Sequence, residues 1–381
     1  MRNETMTSRQ RVKNTIEQKP TDRVPIDFGM HFSTGISAFG YYNLRKYLNL
    51  NVDDIEIVDC NQLLARVDQD VLERFHVDTI LLNPPLTSHR VWNPRGDYRF
   101  KVPHSFKPEL QSDGSYLLRK KRLRGIMPQN GFFFDYSEGL GYDPYEIDID
   151  EKIEFFGQRA ERLYKETDKF TLLMGFPSYF TNLDFACEML LNPKDCKDYN
   201  ENVLNDAIIY FNKINKRYGE YLGAIEVNGD LGTQNAPMCS PSSYEDICYP
   251  YLKRFCKHVH EASDIKIFLH SCGSIYRLLP YIIDAGVDII NPVQISAQDM
   301  KPQLLKQEFG DKICFWGGGC DTQYILWKET PEKITNHVKE NMEIFKPGGG
   351  FVFNQVHNVM GNVPPENVVA MFDAAYNNSF Y

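Results

Sequence analysis

At 381 residues the chain is long enough for two average domains or one large α/β barrel, and 42% hydrophobic with 24% charged residues describes a protein with a sizeable core and a solvated surface. A formal net charge of −9 argues against a nucleic-acid surface, which needs a basic field to meet phosphates. No run of about 18 apolar residues occurs, so no membrane-spanning helix is expected.

The first ten residues are polar and lack the apolar centre of a secretory signal, and nine cysteines are scattered without framework spacing. A reduced, cytoplasmic protein is the expectation. Residues 7–18 read as a polar helix that Pro20 stops. Eight short apolar runs then read as strands, at 24–28, 79–82, 170–174, 223–227, 266–269, 287–290, 312–316 and 350–353. Several are apolar on both faces, as parallel strands covered by helices must be.

Helix signals lie between them. Ser242-Ser243-Tyr244-Glu245 reads as a capping box opening a helix towards His260. Thr330-Pro331 and Val363-Pro364-Pro365-Glu366 read as helix starts with early prolines. Leu278, Leu279, Ile282 and Ile283 form an apolar stripe at helical spacing, a core face.

Residues 90–136 break the rhythm with turns and aromatics, such as Asn93-Pro94-Arg95-Gly96 and Phe132-Phe133-Phe134. They are read as an antiparallel hairpin excursion inserted after the second strand, covering part of the barrel mouth. The basic run Arg119-Lys120-Lys121-Arg122-Leu123-Arg124 is read as a solvated edge strand. Without repeats or a low-complexity linker, residues 1–381 are expected to form one domain: a (β/α)8 TIM barrel preceded by a helix.

Residue types that carry chemistry fall just past strand ends. Residues 268–273 read Phe-Leu-His-Ser-Cys-Gly, an apolar strand ending in His270 and Cys272 and breaking at Gly273. Cys320 follows three glycines after the 312–316 run. An imidazole and two thiolates would leave a tetrahedral zinc one open position, the arrangement of a catalytic metal. Asp230, His357 and Asn358 also follow strands closely, and in a TIM barrel that end carries the active site. Cys60, Cys187, Cys196, Cys248, Cys256 and Cys314 are assigned to packing.

Several stretches together resemble the uroporphyrinogen decarboxylase superfamily. They are Thr21-Asp22-Arg23-Val24-Pro25, Gly229-Asp230-Leu231-Gly232-Thr233-Gln234, His270-Ser271-Cys272-Gly273, Asn291-Pro292-Val293-Gln294, Gly317-Gly318-Gly319-Cys320-Asp321-Thr322-Gln323 and Val356-His357-Asn358. The resemblance implies a TIM barrel with one of two chemistries. True decarboxylases clamp an acidic porphyrinogen with an arginine-rich segment after the first strand. Here that segment is Phe28-Gly29-Met30-His31-Phe32-Ser33-Thr34-Gly35, with no arginine before Arg45. The other branch comprises zinc-dependent methyltransferases that exchange methyl groups with a corrinoid (cobalamin) carried by a partner protein.

That second branch is the closer match. It implies His270, Cys272 and Cys320 as zinc ligands, with His357 as the alternative third ligand. Glu226 or Asp230 is the candidate for the fourth position. Asp230 and His357 are the candidate catalytic groups, and Gln234, Gln294 and Asn358 the candidates for orienting a small-molecule methyl donor or acceptor. A metal-free decarboxylase and a non-catalytic barrel that binds a corrinoid protein are the alternatives.

Overall fold

The computed structural model describes residues 4–120, 123–135, 145 and 147–381. Six strands form one parallel sheet, in the order Phe351–Val352, Cys314–Trp316, Ile289–Asn291, Lys266–His270, Ala224–Asn228 and Leu172–Pro177. Its two edges are joined through two extended segments. Ile26 bridges Phe353 in parallel, the Asp78 amide donates to the Ile26 carbonyl at 2.7 Å, and Thr79 bridges Phe170. These contacts give the arrangement of a (β/α)8 barrel, with the expected first two strands reduced to single bridges.

The two-residue period of a strand decides what faces the barrel axis. Phe170, Leu172, Ala224, Phe268, Ile289, Cys314, Trp316 and Val352 pack together inside, and Val12 and Ile16 of the N-terminal helix Ser8–Ile16 join the same cluster. Two residues further along, the same faces turn polar: Ala224 leads to Glu226, Phe268 to His270 and Ile289 to Asn291. The odd-numbered partners Ile225, Val227, Ile267, Leu269 and Phe315 face the other way, into the larger core. The interior is therefore an apolar plug beneath a polar floor.

Helices start where proline fits the first turn, at Pro241–Ile247, Pro331–Phe345 and Pro365–Ser379. The helix expected from Ser242 differs in detail. Its cap is Ser240, whose side chain accepts from the Ser243 amide at 3.0 Å, and it breaks before Tyr249–Ala262. Pro250 lies in the first turn of that second helix, which accounts for the restart.

Residues 90–127 supply antiparallel strands, as expected, but they form two separate pieces. Arg90–Trp92 pairs with Phe100–Val102, which joins a strand at Ile55–Asp59 absent from the sequence reading. Glu109–Leu110, Tyr116–Lys120 and Leu123–Met127 make a three-stranded sheet. Arg119 and Arg124 are exposed on it, while 121 and 122 of the basic run lie outside the described residues. Cys187, assigned to packing, is exposed on the helix Leu183–Leu191. Among the described residues no helix is long and apolar enough to cross a membrane.

Candidate metal centre and substrate cavity

Because the Lys266–His270 strand ends with His270 on its inner face, that imidazole stands over the barrel interior. The chain then turns at Gly273 (φ +88°), a conformation that glycine adopts without penalty. The turn holds the loop tightly against its neighbour. A Cβ at Gly273 would lie 2.3 Å from the backbone carbon of Gly232, and the Ser274 amide donates to the Thr233 carbonyl at 2.7 Å. Leu231 donates its amide to Ser271 Oγ at 2.9 Å, and Cys272 donates its amide to Asp230 Oδ1 at 2.8 Å. The histidine, the cysteine and the aspartate thus belong to one interlocked pair of loops.

His357 arrives from the end of the barrel's last strand and completes a group. One ligand atom each from His270, Cys272 and His357 lie within 4.8 Å of one another. The Cys272 Sγ to His270 Nε2 distance is 3.7 Å. A tetrahedral zinc with ordinary Zn–N and Zn–S bonds separates such atoms by about 3.6 Å, so this pair already stands at ligand spacing. Asp230 Oδ1 is 3.9 Å from the same Nε2, and its side chain is about half exposed.

The electrostatics suit neutral donors. Burial, then the neighbouring His31, lowers the His270 pKa; burial, then His270, lowers that of His357 from 6.5 to about 4. Both rings are neutral at pH 7. Burial, then the Asp230 charge, raises the Cys272 thiol above its ordinary value, so without metal it keeps its proton.

A cavity of about 1170 Å³ opens beside this group. Its lining includes His31, Asp59, Glu226 and Asp230, with Phe32, Phe156, Tyr199 and Tyr210 among its aromatic residues and Lys152 its lysine. Asp59 Oδ2 accepts from Gln62 Nε2 at 3.0 Å and Oδ1 from the Asn61 amide at 2.7 Å, and burial raises its carboxyl pKa.

Several expected roles change with these coordinates. Cys320 stands apart from the donor group, because its side chain is fully buried in the outer apolar core with Sγ 3.9 Å from the Asp321 carbonyl. His357 is the residue that stands with His270 and Cys272 instead. Glu226 is not free to be a fourth ligand. Its Oε1 meets His31 Nε2 at 2.6 Å and its Oε2 accepts from the Gly175 amide at 2.9 Å. Burial pushes this carboxyl up, but His31, His270 and the Gly175 amide together outweigh it and hold the carboxyl below its usual value.

The three expected substrate amides are occupied by protein partners. Gln294 Oε1 accepts from the Gly273 amide and its Nε2 donates to Gln234 Oε1, while Gln234 Nε2 donates to the Ser296 carbonyl. Asn358 donates to the Phe32 carbonyl and to Gln62 Oε1 and accepts from the Gly35 amide. These side chains brace the loops and are not among the residues lining the cavity.

The sequence reading passed over His31, Ser33, Asp59 and Asn291. His31 and Ser33 sit in the arginine-free stretch directly after the first strand. Asn291 ends a strand on its inner face, the same signal that singled out His270. Asp59 belongs to a strand the pattern did not reveal.

Residues 177–377, just over half of the chain, match the family model described as "Uroporphyrinogen decarboxylase (URO-D)". Proteins described as uroporphyrinogen decarboxylase from Vesicomyosocius okutanii subsp. Calyptogena okutanii (strain HA) and Dichelobacter nodosus (strain VCS1703A) are 28% identical over 142 residues and 24% identical over 134. Those alignments take in 36% and 35% of this chain and 38% and 36% of the relatives, so the chain spans less than two fifths of the curated relatives it matches. A methyltransferase from Methanosarcina mazei shares the fold over 98% of this chain and 99% of its own, with a TM-score of 0.56 and 15% identity.

Proposed function

The chain belongs to the uroporphyrinogen decarboxylase family, and from that premise we propose that it is a zinc-dependent methyltransferase or demethylase component, moving a methyl group between a small molecule and a corrinoid held by a partner protein. One observation carries the reading: two imidazoles and a thiol, a mixed nitrogen–sulfur set suited to zinc, stand together at the polar end of the barrel with a cavity beside them.

In this reading His270, Cys272 and His357 hold the ion, and Asp230 stands next to the open position. Bound there, zinc supplies Lewis acidity, stabilising a thiolate or polarising a methyl-bearing heteroatom. Cys272 gives up its proton on loading, while the two histidines, already neutral, give up none. Phe32, Phe156, Tyr199 and Tyr210 offer apolar surface to the substrate at the cavity wall.

Decarboxylation of a porphyrinogen is the second reading, favoured by the family description. Such a polycarboxylate calls for guanidinium forks. Among the described residues lining the cavity there is no arginine, and Lys152 is outnumbered by Asp59, Glu226 and Asp230. Methyl transfer fits those walls better.

Calorimetric titration of zinc into chelator-treated protein tests the proposal. One site per chain is expected, with release of about one proton at pH 7 that disappears in Cys272→Ser. The loaded protein should then methylate reduced cobalamin from one of a panel of methyl donors. A chain that takes up no zinc sinks this reading; porphyrinogen turnover by the metal-free chain establishes the other.

A further inference from the structure

Beneath the candidate metal ligands lies a buried amide whose hydrogen bonds can be assigned atom by atom. Asn291 Nδ2 is 2.9 Å from the Trp316 main-chain carbonyl, which can only accept. That contact fixes which end of the amide is which, because the flipped amide would set two oxygens against each other. Asn291 Oδ1 is therefore the atom that faces His270 Nδ1, at 2.9 Å, and Ser33 Oγ, at 2.8 Å. An amide oxygen cannot donate, so His270 must carry its proton on Nδ1. Its Nε2 is left with a lone pair, directed to the side where Cys272 Sγ stands at 3.7 Å.

The amide itself is held from several sides. Asn291 is fully buried, Trp316 is anchored in turn by Nε1 donating to Asp27 Oδ2 at 2.8 Å, and Ser33 Oγ is 2.7 Å from His31 Nδ1. His31 stacks obliquely on His270, ring centroids 5.1 Å apart, and reaches Glu226. The imidazole is thus set in both tautomer and ring plane before any ligand arrives.

We propose that Asn291 is a positioning residue that locks His270 in its Nδ1–H tautomer and so presents Nε2 as a metal donor. The inference rests on the zinc reading above and adds to it a residue outside the donor set. Outer partners that orient a ligating imidazole typically govern metal affinity by 10- to 100-fold.

Two variants separate this role from simple support of the fold. Asn291→Ala removes the acceptor for His270 and the donor to Trp316 together. Asn291→Asp keeps an acceptor for His270, but replaces the donor to Trp316 with a second carboxylate oxygen facing that carbonyl. Zinc affinity is read by chelator competition on the metal-free full chain, and the tautomer by nitrogen-15 shifts of labelled histidine. Asn291→Ala should weaken zinc binding by about 10- to 100-fold and erase the fixed Nδ1–H signal. Asn291→Asp should restore both to near the parent.

Equal losses in the two variants would assign the effect to the Trp316 tether and overturn the proposal, as would an Ala variant that binds zinc like the parent. A parent chain with no zinc affinity would remove the metal reading and this role with it. Parent zinc binding with an indifferent Ala variant removes this role alone.

Discussion

At the scale of single residues, the site is defined by how far burial moves each proton. His357 takes up a proton at its ordinary 6.5 in the unfolded chain but only near 4 in the folded one. Between those values the unfolded state binds more protons, so acid favours unfolding. The stability associated with a neutral His357 is fully present above 6.5 and is lost as pH falls towards 4; His270, shifted the same way, adds to the slope. Urea melts of the metal-free chain at pH 7 and pH 5 should show this loss, and His357→Gln should reduce it. An unchanged slope in the variant would mean that other groups dominate.

Elements decide which of these residues meet. The loops after the Ala224–Asn228 and Lys266–His270 strands touch through bare backbone at Gly232 and Gly273, and this contact sets Cys272 against Asp230. Gly273→Ala places a methyl group inside the Gly232 main chain and strains a left-handed turn. The turn alone costs about 1–2 kcal/mol, and the overlap adds to it. We expect a lower melting temperature and weaker zinc binding together, since the loop must move and carry Cys272 with it. A variant that melts lower with unchanged zinc affinity would show the two loops to be uncoupled.

The same elements show what could be read beforehand. Six of the eight strands and the pairing of His270 with Cys272 were legible, because an apolar run ending in a ligand residue is a local signal. The first two strands are single bridges, too short to impose a period, and Ile55–Asp59 alternates too weakly to stand out. The choice between Cys320 and His357 was not legible at all. It depends on where two loops about 37 residues apart come to rest, and either residue follows a strand closely enough to qualify. Gln234, Gln294 and Asn358 misled for a related reason: an amide at a strand end serves equally well as a brace or as a substrate contact.

Across the whole molecule, stability and chemistry occupy opposite ends. At the foot of the barrel, fully buried Asp78 receives Arg11 Nη1 at 2.6 Å and Arg23 Nη1 at 2.7 Å, and accepts the Ile26 amide at 2.8 Å. Glu4 and Asp22 close the network around the N-terminal helix. This accounts for the Asp22-Arg23 pair in the opening motif. Removing one partner of such a buried set leaves charges unmatched, and Asp78→Ala should cost on the order of 3–5 kcal/mol. In the fraction that stays folded, zinc affinity should match the parent, which equilibrium unfolding and chelator competition would check side by side. A large drop in affinity would link the two ends of the barrel.

The carboxylates at the cavity wall also bear on traffic through it. Among the described residues lining the cavity, Asp59, Glu226 and Asp230 outnumber the one ammonium of Lys152, and the chain as a whole carries nine excess negative charges. Fields from such an excess concentrate one sign of solute before any contact forms. Positively charged molecules would reach the chamber fastest in dilute buffer and slow as ionic strength rises, uncharged ones would enter at a rate indifferent to salt, and multiply anionic ones would be turned away at the door.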